Sequence, residues 1–433
     1  MYRFSIFVLQ LLLLIIALTF IFTNPFIVSL DIGNLKYSFS SNLFAVIFIS
    51  FIFLLYLVFY LFFRSRLSLG KYFLKNKYNK IEKGYLHFVD AMIAVANKDN
   101  KTALKSHKKM VSYLKDDPSL SLLLKSEVLK IEKKFPELNN IYEDMIKSKK
   151  TETLGYRGLM EQNLRNQDYH HAFLYGEKLF SINPNIEKLY DTLIFIAAKT
   201  KNWNQIILLS DKAFSNKIIS KNDLNENKSI GFYEIAKIKF DSDRKDALKN
   251  ILKAIELKKN FAPYVKLHLE TIAALNDKRN LKKLIKKYWS LNPSSLLRSI
   301  ITKILNDNDL NDIKFINEII KNNASEEESK KLLIYFAIKN LKWDIARENV
   351  IGMIGSNPSK DICYFMSDIE LGENNDKQKS DAWIMRAENA KLENSWICRI
   401  TNQSQEEWSS LSDSGNYNSL VWSSPMMIRQ NRN

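Results

Sequence analysis

The sequence predicts an all-α protein: two N-terminal membrane-spanning helices, then a solenoid of helical hairpins, then a small, degenerate ribbon-like β module. Three observations lead there. Two apolar runs, Phe4 to Phe22 and Leu43 to Phe63, fill most of the first 63 residues. Glycine (11) and proline (8) are scarce in 433 residues, which favours long helices joined by short turns over a sheet-rich enzyme fold. From about residue 84 onward, apolar residues recur at helical spacing inside a longer period marked by polar turns.

A spanning helix needs about 20 apolar residues. The first run has 19, with Gln10 and Thr19 as polar interruptions; the second, LFAVIFISFIFLLYLVFYLFF, has 21 and no charge. In hydrocarbon every backbone group must bond within its own segment, so both runs are expected as helices. A cleaved signal peptide is the alternative for the first run. Against it stand the single basic residue Arg3 before the run and the lack of a small-x-small cleavage site. Residues 23 to 42 form a short outside loop, expected as a hairpin with strands Phe26 to Leu30 and Leu35 to Phe39 around a turn at Asp31-Ile32-Gly33-Asn34.

Charge sets the orientation. Lys36 and Asp31 are the charges between the runs, whereas Arg64, Arg66, Lys71, Lys75, Lys77, Lys80 and Lys83 follow the second run with Glu82 as the one acid. The positive-inside rule therefore puts both termini and everything after residue 63 in the cytoplasm. Residues 64–83 form a basic juxtamembrane segment. Its Arg64, Arg66, Lys71, Lys75 and Lys77 are candidate membrane-surface residues, each worth about 1 kcal/mol when close to anionic head groups. A solvated basic helix is the plainer alternative.

The formal charge of +17 invites a nucleic-acid reading. The lysines, however, are spread along the whole chain among Asn and Ile, a pattern that an AT-rich genome also produces, so no nucleic-acid partner is expected. Cys363 and Cys398 cannot form a disulfide framework, and on the cytoplasmic side thiols stay reduced.

The repeat shows best in three segments. In GLMEQNLRNQDYHHAFLYGEKLFSINPN a helix ends at a polar turn, the small Ala172 packs two helices together, and Pro184 opens the next unit 12 residues later. Leu281 and Pro293, and Ala346 and Pro358, repeat the 12-residue interval. Ala103, Trp203 with Ile206, and Ala247 follow similar turns without the proline. This is the tetratricopeptide helix–turn–helix spacing, with a period of about 34 residues. Each unit buries little alone, and stacking supplies a shared core. The pattern weakens over residues 215–229, 306–328 and 372–380. The first break is read as dividing sub-arrays at 84–214 and 230–371, and the last as a loop before a tail module at 381–425.

No catalytic constellation emerges: there is no phosphate-binding glycine loop, HExxH or nucleophile elbow. Of the histidines His87, His107, His170, His171 and His268, only the adjacent His170–His171 pair raises a haem or metal role, and an ordinary helix position is the default. No cofactor is expected. In the tail, Cys398 stands where a zinc ribbon begins its first CxxC knuckle, but Thr401, Leu411 and Ser414 occupy the other ligand positions. One thiolate cannot hold a structural zinc. The expectation is a metal-free β module packed on Trp396, Trp408 and Trp422, with Gly415 in the frame.

With these features assembled, the chain resembles the HemY family of bacterial inner-membrane proteins over its full length. The resemblance rests on the paired membrane runs followed by Lys/Arg and repeats, and on Leu154-Gly155-Tyr156-Arg157-Gly158-Leu159, similar to the family's LGxRGL element. The stretch from Trp383 through Ala387 and Ala390 to Trp396 and Cys398, and Asn418-Ser419-Leu420-Val421-Trp422 with Pro425, look like the alphaproteobacterial branch. The resemblance implies a non-catalytic adaptor at the inner membrane. Its protein partners would be haem-biosynthesis enzymes gathered through the repeats. A related scaffold with a full ribbon regulates lipopolysaccharide synthesis through a protease, which makes an envelope-synthesis adaptor the runner-up; a porphyrin-binding or enzymatic membrane protein is the other alternative.

Overall fold

The computed structural model describes residues 2–33, 35–115, 118–355, 358–390 and 394–424. The expected Pro425 lies outside them. The chain divides into two compact units, Met1–Lys134 and Phe135–Asn433.

The first unit opens with α1 (Tyr2–Thr23), followed by strands β1 (Ile27–Ile32) and β2 (Leu35–Ser40), and then the long helix α2 (Ser41–Ala96). The strands pair antiparallel from Ile27↔Ser40 to Ile32↔Leu35. The reversal is therefore tighter than the four-residue turn expected, and Asp31 and Ile32 are strand residues. A two-residue connection matches the natural twist of the strands, and Gly33 supplies the positive φ (64°) that such a turn demands. Ser41 ties the hairpin to the helix: its Oγ accepts from Phe26 N at 3.1 Å, and its own N–H donates to Phe26 O at 2.8 Å. Ser40 caps α2 by accepting from Leu43 N.

α2 runs 56 residues without a break. Among the described residues, its Ser41–Arg64 part is the one helix long and apolar enough to cross a membrane. The basic segment 64–83 is not a separate element, because no proline or capping residue interrupts the helix between the apolar part and Ala96. The same helix goes on to pack Ala91 and Ala94, both buried, against α3 (Asn100–Tyr113) and α4 (Pro118–Glu132).

The second unit is a series of antiparallel helices. It runs α5 (Phe135–Ile146), α6 (Glu152–Arg165), α7 (Tyr169–Ile182), α8 (Leu189–Lys199), α9 (Trp203–Ser215), α10 (Lys221–Lys239), α11 (Arg244–Leu257) and α12 (Ala262–Ala274). It continues with α13 (Lys278–Leu291), α14 (Ser295–Asp307), α15 (Ile313–Ile320), α16 (Glu327–Lys339), α17 (Trp343–Ile351), α18 (Lys360–Asn374) and α19 (Lys377–Glu388). From α6 onward they pair as hairpins. Most of the hairpin turns share one construction. A helix ends on a residue in the left-handed region, such as Gln167 (φ 59°), Asn276 (58°) or Asn375 (52°). The next residue, Asp168, Asp277 or Asp376, caps the following helix by accepting from the N–H three residues on.

Two expected breaks are not breaks. Residues 215–229 hold the start of α10, closed by a capping box between Ser220 and Asp223, and Leu224, Ser229 and Ile230 are buried. Lys228 binds Asp211 of α9 at 2.9 Å, so the array passes through without dividing. Residues 306–328 contain α15, with Phe315, Ile316, Ile319 and Ile320 all buried. The alternation of polar and apolar residues within eight positions masks so short a helix. Residues 372–380 are a hairpin turn rather than a loop before the tail: α19 packs on α18, with Ser367 and Ser380 hydroxyls 2.7 Å apart. The tail proper is the three-stranded antiparallel sheet β4-β3-β5, made of β3 (Ser395–Cys398), β4 (Ser404–Gln405) and β5 (Leu420–Ser423).

The core of the second unit is a succession of apolar clusters along the array. Trp289 is fully buried and donates Nε1–H to Ser329 Oγ at 2.9 Å, joining α13 to α16. Arg298 of α14 bonds Glu328 of α16 at 2.8 Å and also Asp361 of α18, so one guanidinium joins three hairpins. The LGxRGL glycines serve close approach. A Cβ on Gly158 would lie 2.3 Å from the Tyr142 ring, and one on Gly155 would lie 2.7 Å from Ile146 Cγ2. Helix α6 therefore lies directly on α5. Buried His268 accepts or donates at 2.8 Å to Tyr288 Oη, and burial holds it neutral, its pKa lowered to about 4.

Two predictions follow from these contacts. Gly158→Ala forces α6 away from Tyr142, at a cost of about 1–3 kcal/mol. It lowers the melting temperature of the full chain by several degrees in circular dichroism, whereas Gly352→Ala, which meets nothing within 4 Å, leaves it unchanged. For His268 the unfolded chain takes up a proton near pH 6.5, and the folded chain refuses it until about pH 4. The stability that neutral His268 contributes is thus complete above pH 6.5 and drains away as the pH falls toward 4, by on the order of 3 kcal/mol. Denaturant melts across that window should show the loss, and His268→Gln should flatten it.

Candidate functional site

The site is the face formed by the first helices of successive hairpins, together with the tail sheet packed on it. Its footing is the set of small or apolar residues at the start of each second helix. Ala103, Ala172, Ala247, Leu281 and Ala346 are each fully buried. Each donates its N–H to the carbonyl of the cap residue four positions earlier, at 2.9–3.1 Å. Ala103 lies in the first unit and the other four in the second. The prolines differ in place. Pro293 and Pro358 immediately precede the caps Ser294 and Ser359, while Pro184 sits in a longer turn and α8 starts only at Leu189. Of the membrane-surface residues, Lys71, Lys75 and Lys77 are exposed along α2, and Arg64 stacks over Tyr60 with Nη1 2.9 Å from its hydroxyl. The Arg66 side chain lies outside the described residues.

The tail sheet docks on α8, α10 and α12 through aromatic contacts that sequence patterning did not reveal. Trp408 meets Tyr233 of α10 at 5.3 Å and Tyr264 of α12 at 6.0 Å between ring centroids. Phe261, just before α12, lies 5.2 Å from Trp408 and 6.0 Å from Trp396. Edge-to-face pairs of this kind add about 0.5–1.5 kcal/mol each beyond the area they bury. A polar relay runs beside them: Tyr417 donates to Asn227 Oδ1 at 3.1 Å, Asn227 donates to Tyr190 Oη at 3.0 Å, and Tyr190 meets Ser210 at 3.0 Å. Burial pushes the Tyr190, Tyr233, Tyr264 and Tyr417 phenols above their ordinary pKa, so all four are neutral. At the rim Lys266 Nζ lies 2.6 Å from Glu407. The clue in the sequence was the aromatic density of both partners; their distance along the chain hid the pairing.

The ribbon positions come together only in part. Cys398 Sγ–H donates to Ser419 Oγ at 3.2 Å, and Sγ accepts from Ser414 Oγ at 3.6 Å, which in turn is 3.2 Å from Thr401 Oγ1. Burial pushes the thiol up, but its hydrogen bonds with Ser419, Thr401 and Ser414 outweigh it and bring it down to about 5. Leu411 is elsewhere: it bridges to Tyr417 and packs on the α6–α9 core. No group of three or more His, Cys, Asp or Glu side chains with metal-binding geometry occurs among the described residues. Cys363 is fully buried in α18, where burial raises its pKa. His170 and His171 are exposed at the start of α7, and His171 Nδ1 lies 2.7 Å from the capping Asp168.

Residues 27–130 match the family described as HemY protein N-terminus. No curated protein matches the chain. Among solved structures, it overlaps a Naa15/Naa10 complex bound to HypK-THB at 11% identity and TM-score 0.37, covering 71% of this chain and 58% of that one. It overlaps the TPR2AB domain of yeast Sti1, in complex with pHSP90, at 11% identity and TM-score 0.30, over 70% and 98% of the two chains. The Pseudomonas aeruginosa PilF structure gives 13% identity and TM-score 0.26, over 52% and 99%. The hairpin geometry described above, rather than these partial overlaps, defines the array. Residues 27–130 are thus similar to the N-terminal part of the HemY family, and an array of antiparallel helical hairpins follows that segment.

Proposed function

We propose that this protein is a non-catalytic scaffold of the bacterial inner membrane. Helix α1 and the Ser41–Arg64 part of α2 traverse the bilayer, the β1–β2 hairpin faces the periplasm, and both ends of the chain lie in the cytoplasm. The repeats gather protein partners, with enzymes of haem biosynthesis as the first candidates. The observation that carries this reading is the single helix α2. It passes from an apolar span directly into a stretch rich in Lys and Arg, and then into the first repeat hairpin. An apolar surface such as Phe48, Phe51, Phe53 and Phe59, exposed over the whole circumference of a helix, requires lipid or protein around it.

The scaffold reading draws support from where the unusual side chains go. Strongly shifted groups such as Tyr233, Tyr264 and His268 are committed to packing and hydrogen bonds inside the array. Tethering a binding array to a membrane raises the effective concentration of its clients without any new contact.

Topology and partner binding are separately measurable. Ser38→Cys should react with a membrane-impermeant maleimide in intact cells, and Lys75→Cys only after permeabilisation; the reverse pattern overturns the orientation. A photo-crosslinking residue at exposed Ile238 on α10 should give discrete protein adducts in native membranes. Complete absence of adducts there and at exposed Leu208 on α9 would remove the scaffold reading.

A further inference from the structure

At the seam between the array and the tail lies a cavity of about 450 Å³, within the size range of ligand pockets. Phe261, Trp396 and Trp408 form apolar walls, and Trp422 stands half-buried at the side. Three charged groups line it: Glu226, Lys258 and Arg399. Lys258 Nζ lies 2.7 Å from Glu226 and 4.3 Å from the centre of the Phe261 ring. Burial pushes the Glu226 carboxyl up, but the Lys258 ammonium and neighbouring donors hold it below its ordinary range. Glu226 is therefore ionised and already partnered. The guanidinium of exposed Arg399 donates to the neutral carbonyl of Asn418 at 3.1 Å, and its charge helps to hold Glu226 ionised; two cations against one carboxylate leave the cavity with one positive charge in excess.

The third wall is backbone. Leu420, Val421 and Trp422 line the cavity, and they belong to β5, which among the described residues pairs with β3 alone in the order β4-β3-β5. A strand with one unpaired edge is a template for another extended segment. An aromatic hollow, an excess cation and a free strand edge thus meet in one place.

We propose that this cavity binds an extended acidic segment of a partner protein. The segment adds to the edge of β5, sets a carboxylate at Arg399, and lays one large apolar side chain against the aromatic wall that Phe261, Trp396 and Trp422 form together. Side chains two positions apart on a strand point the same way, so the recognised pattern is an acid and a large apolar residue at alternate positions. This rests on the scaffold reading and deepens it by locating the binding site and its chemistry. Because both the array and the tail supply walls, the site exists only while the tail is docked.

The test is selection of random dodecapeptides on the full chain in detergent micelles, with bare micelles as the counter-selection. Enriched peptides should carry the alternating acid and large apolar residue. In fluorescence anisotropy the best of them should bind Arg399→Glu at least tenfold more weakly than the native chain, with tryptophan fluorescence showing that the tail stays docked. No enrichment, enriched peptides without acids, or equal binding to Arg399→Glu each overturns the assignment. If partner crosslinks from native membranes persist unchanged in Arg399→Glu, the pocket is wrong and the scaffold stands. If the native chain gives no crosslinks at all, the scaffold reading itself falls.

Discussion

Most hairpins of the array depend on one short-range geometry: a helix halted on a left-handed residue, an Asp, Asn or Lys at the next position, and a small or apolar residue four places further on. The N–H of the cap bonds back across the end of the first helix, as in Asp168 to Asn163 and Lys342 to Ala337, both at 2.8 Å. The residue four places later then makes the first hydrogen bond of the second helix and turns its side chain into the interface. Where that residue is Ala, the two helices close to backbone contact. Non-glycine residues pay about 1–2 kcal/mol for the left-handed conformation. The regular recurrence of that strain shows that the packing on either side of the turn exceeds it.

Longer-range order is laid over this local rule by a few buried polar side chains. Arg298 joins α14, α16 and α18, and the relay from Ser210 through Tyr190 and Asn227 to Tyr417 joins α9, α8, α10 and the tail. Unlike apolar contacts, such bonds tolerate only one registry. The ribbon-like corner around Cys398 follows the same principle. Hydroxyls of Ser419, Ser414 and Thr401 gather around the single sulfur, and their hydrogen bonds lower its pKa.

Local features were legible in the sequence, and distant ones were not. Polar turns followed by Ala172, Leu281 or Ala346 mark hairpins because capping and packing are decided within a few residues. The same reading faltered at α10 and α15. In α10 the polar run KNDLNENKS is a helix because one face carries Leu224 and Ser229 into the core. In α15 eight residues are too few to establish a period. The seat of the tail was beyond reach for another reason. Trp408 and Tyr233 are far apart in the chain, and nothing near either residue names the other. Gly158 shows an intermediate case: the motif was visible, but its purpose, contact with Tyr142, requires the fold.

The unbroken course of α2 also has a mechanical consequence. A flexible linker would let whatever follows it explore a wide volume around the end of the apolar helix. A continuous helix behaves as a stiff mast, and the part of α2 beyond Arg64 extends roughly 48 Å at about 1.5 Å per residue. The hairpin built from its far end, where Ala91 and Ala94 meet Ala103 and Met110, is thereby held at a set height with a set rotation about the helix axis. One residue added to or removed from α2 would turn that hairpin by about 100° relative to the apolar part and move it by about 1.5 Å. Length and phase of the mast are thus as much a part of the molecule's specification as any side chain.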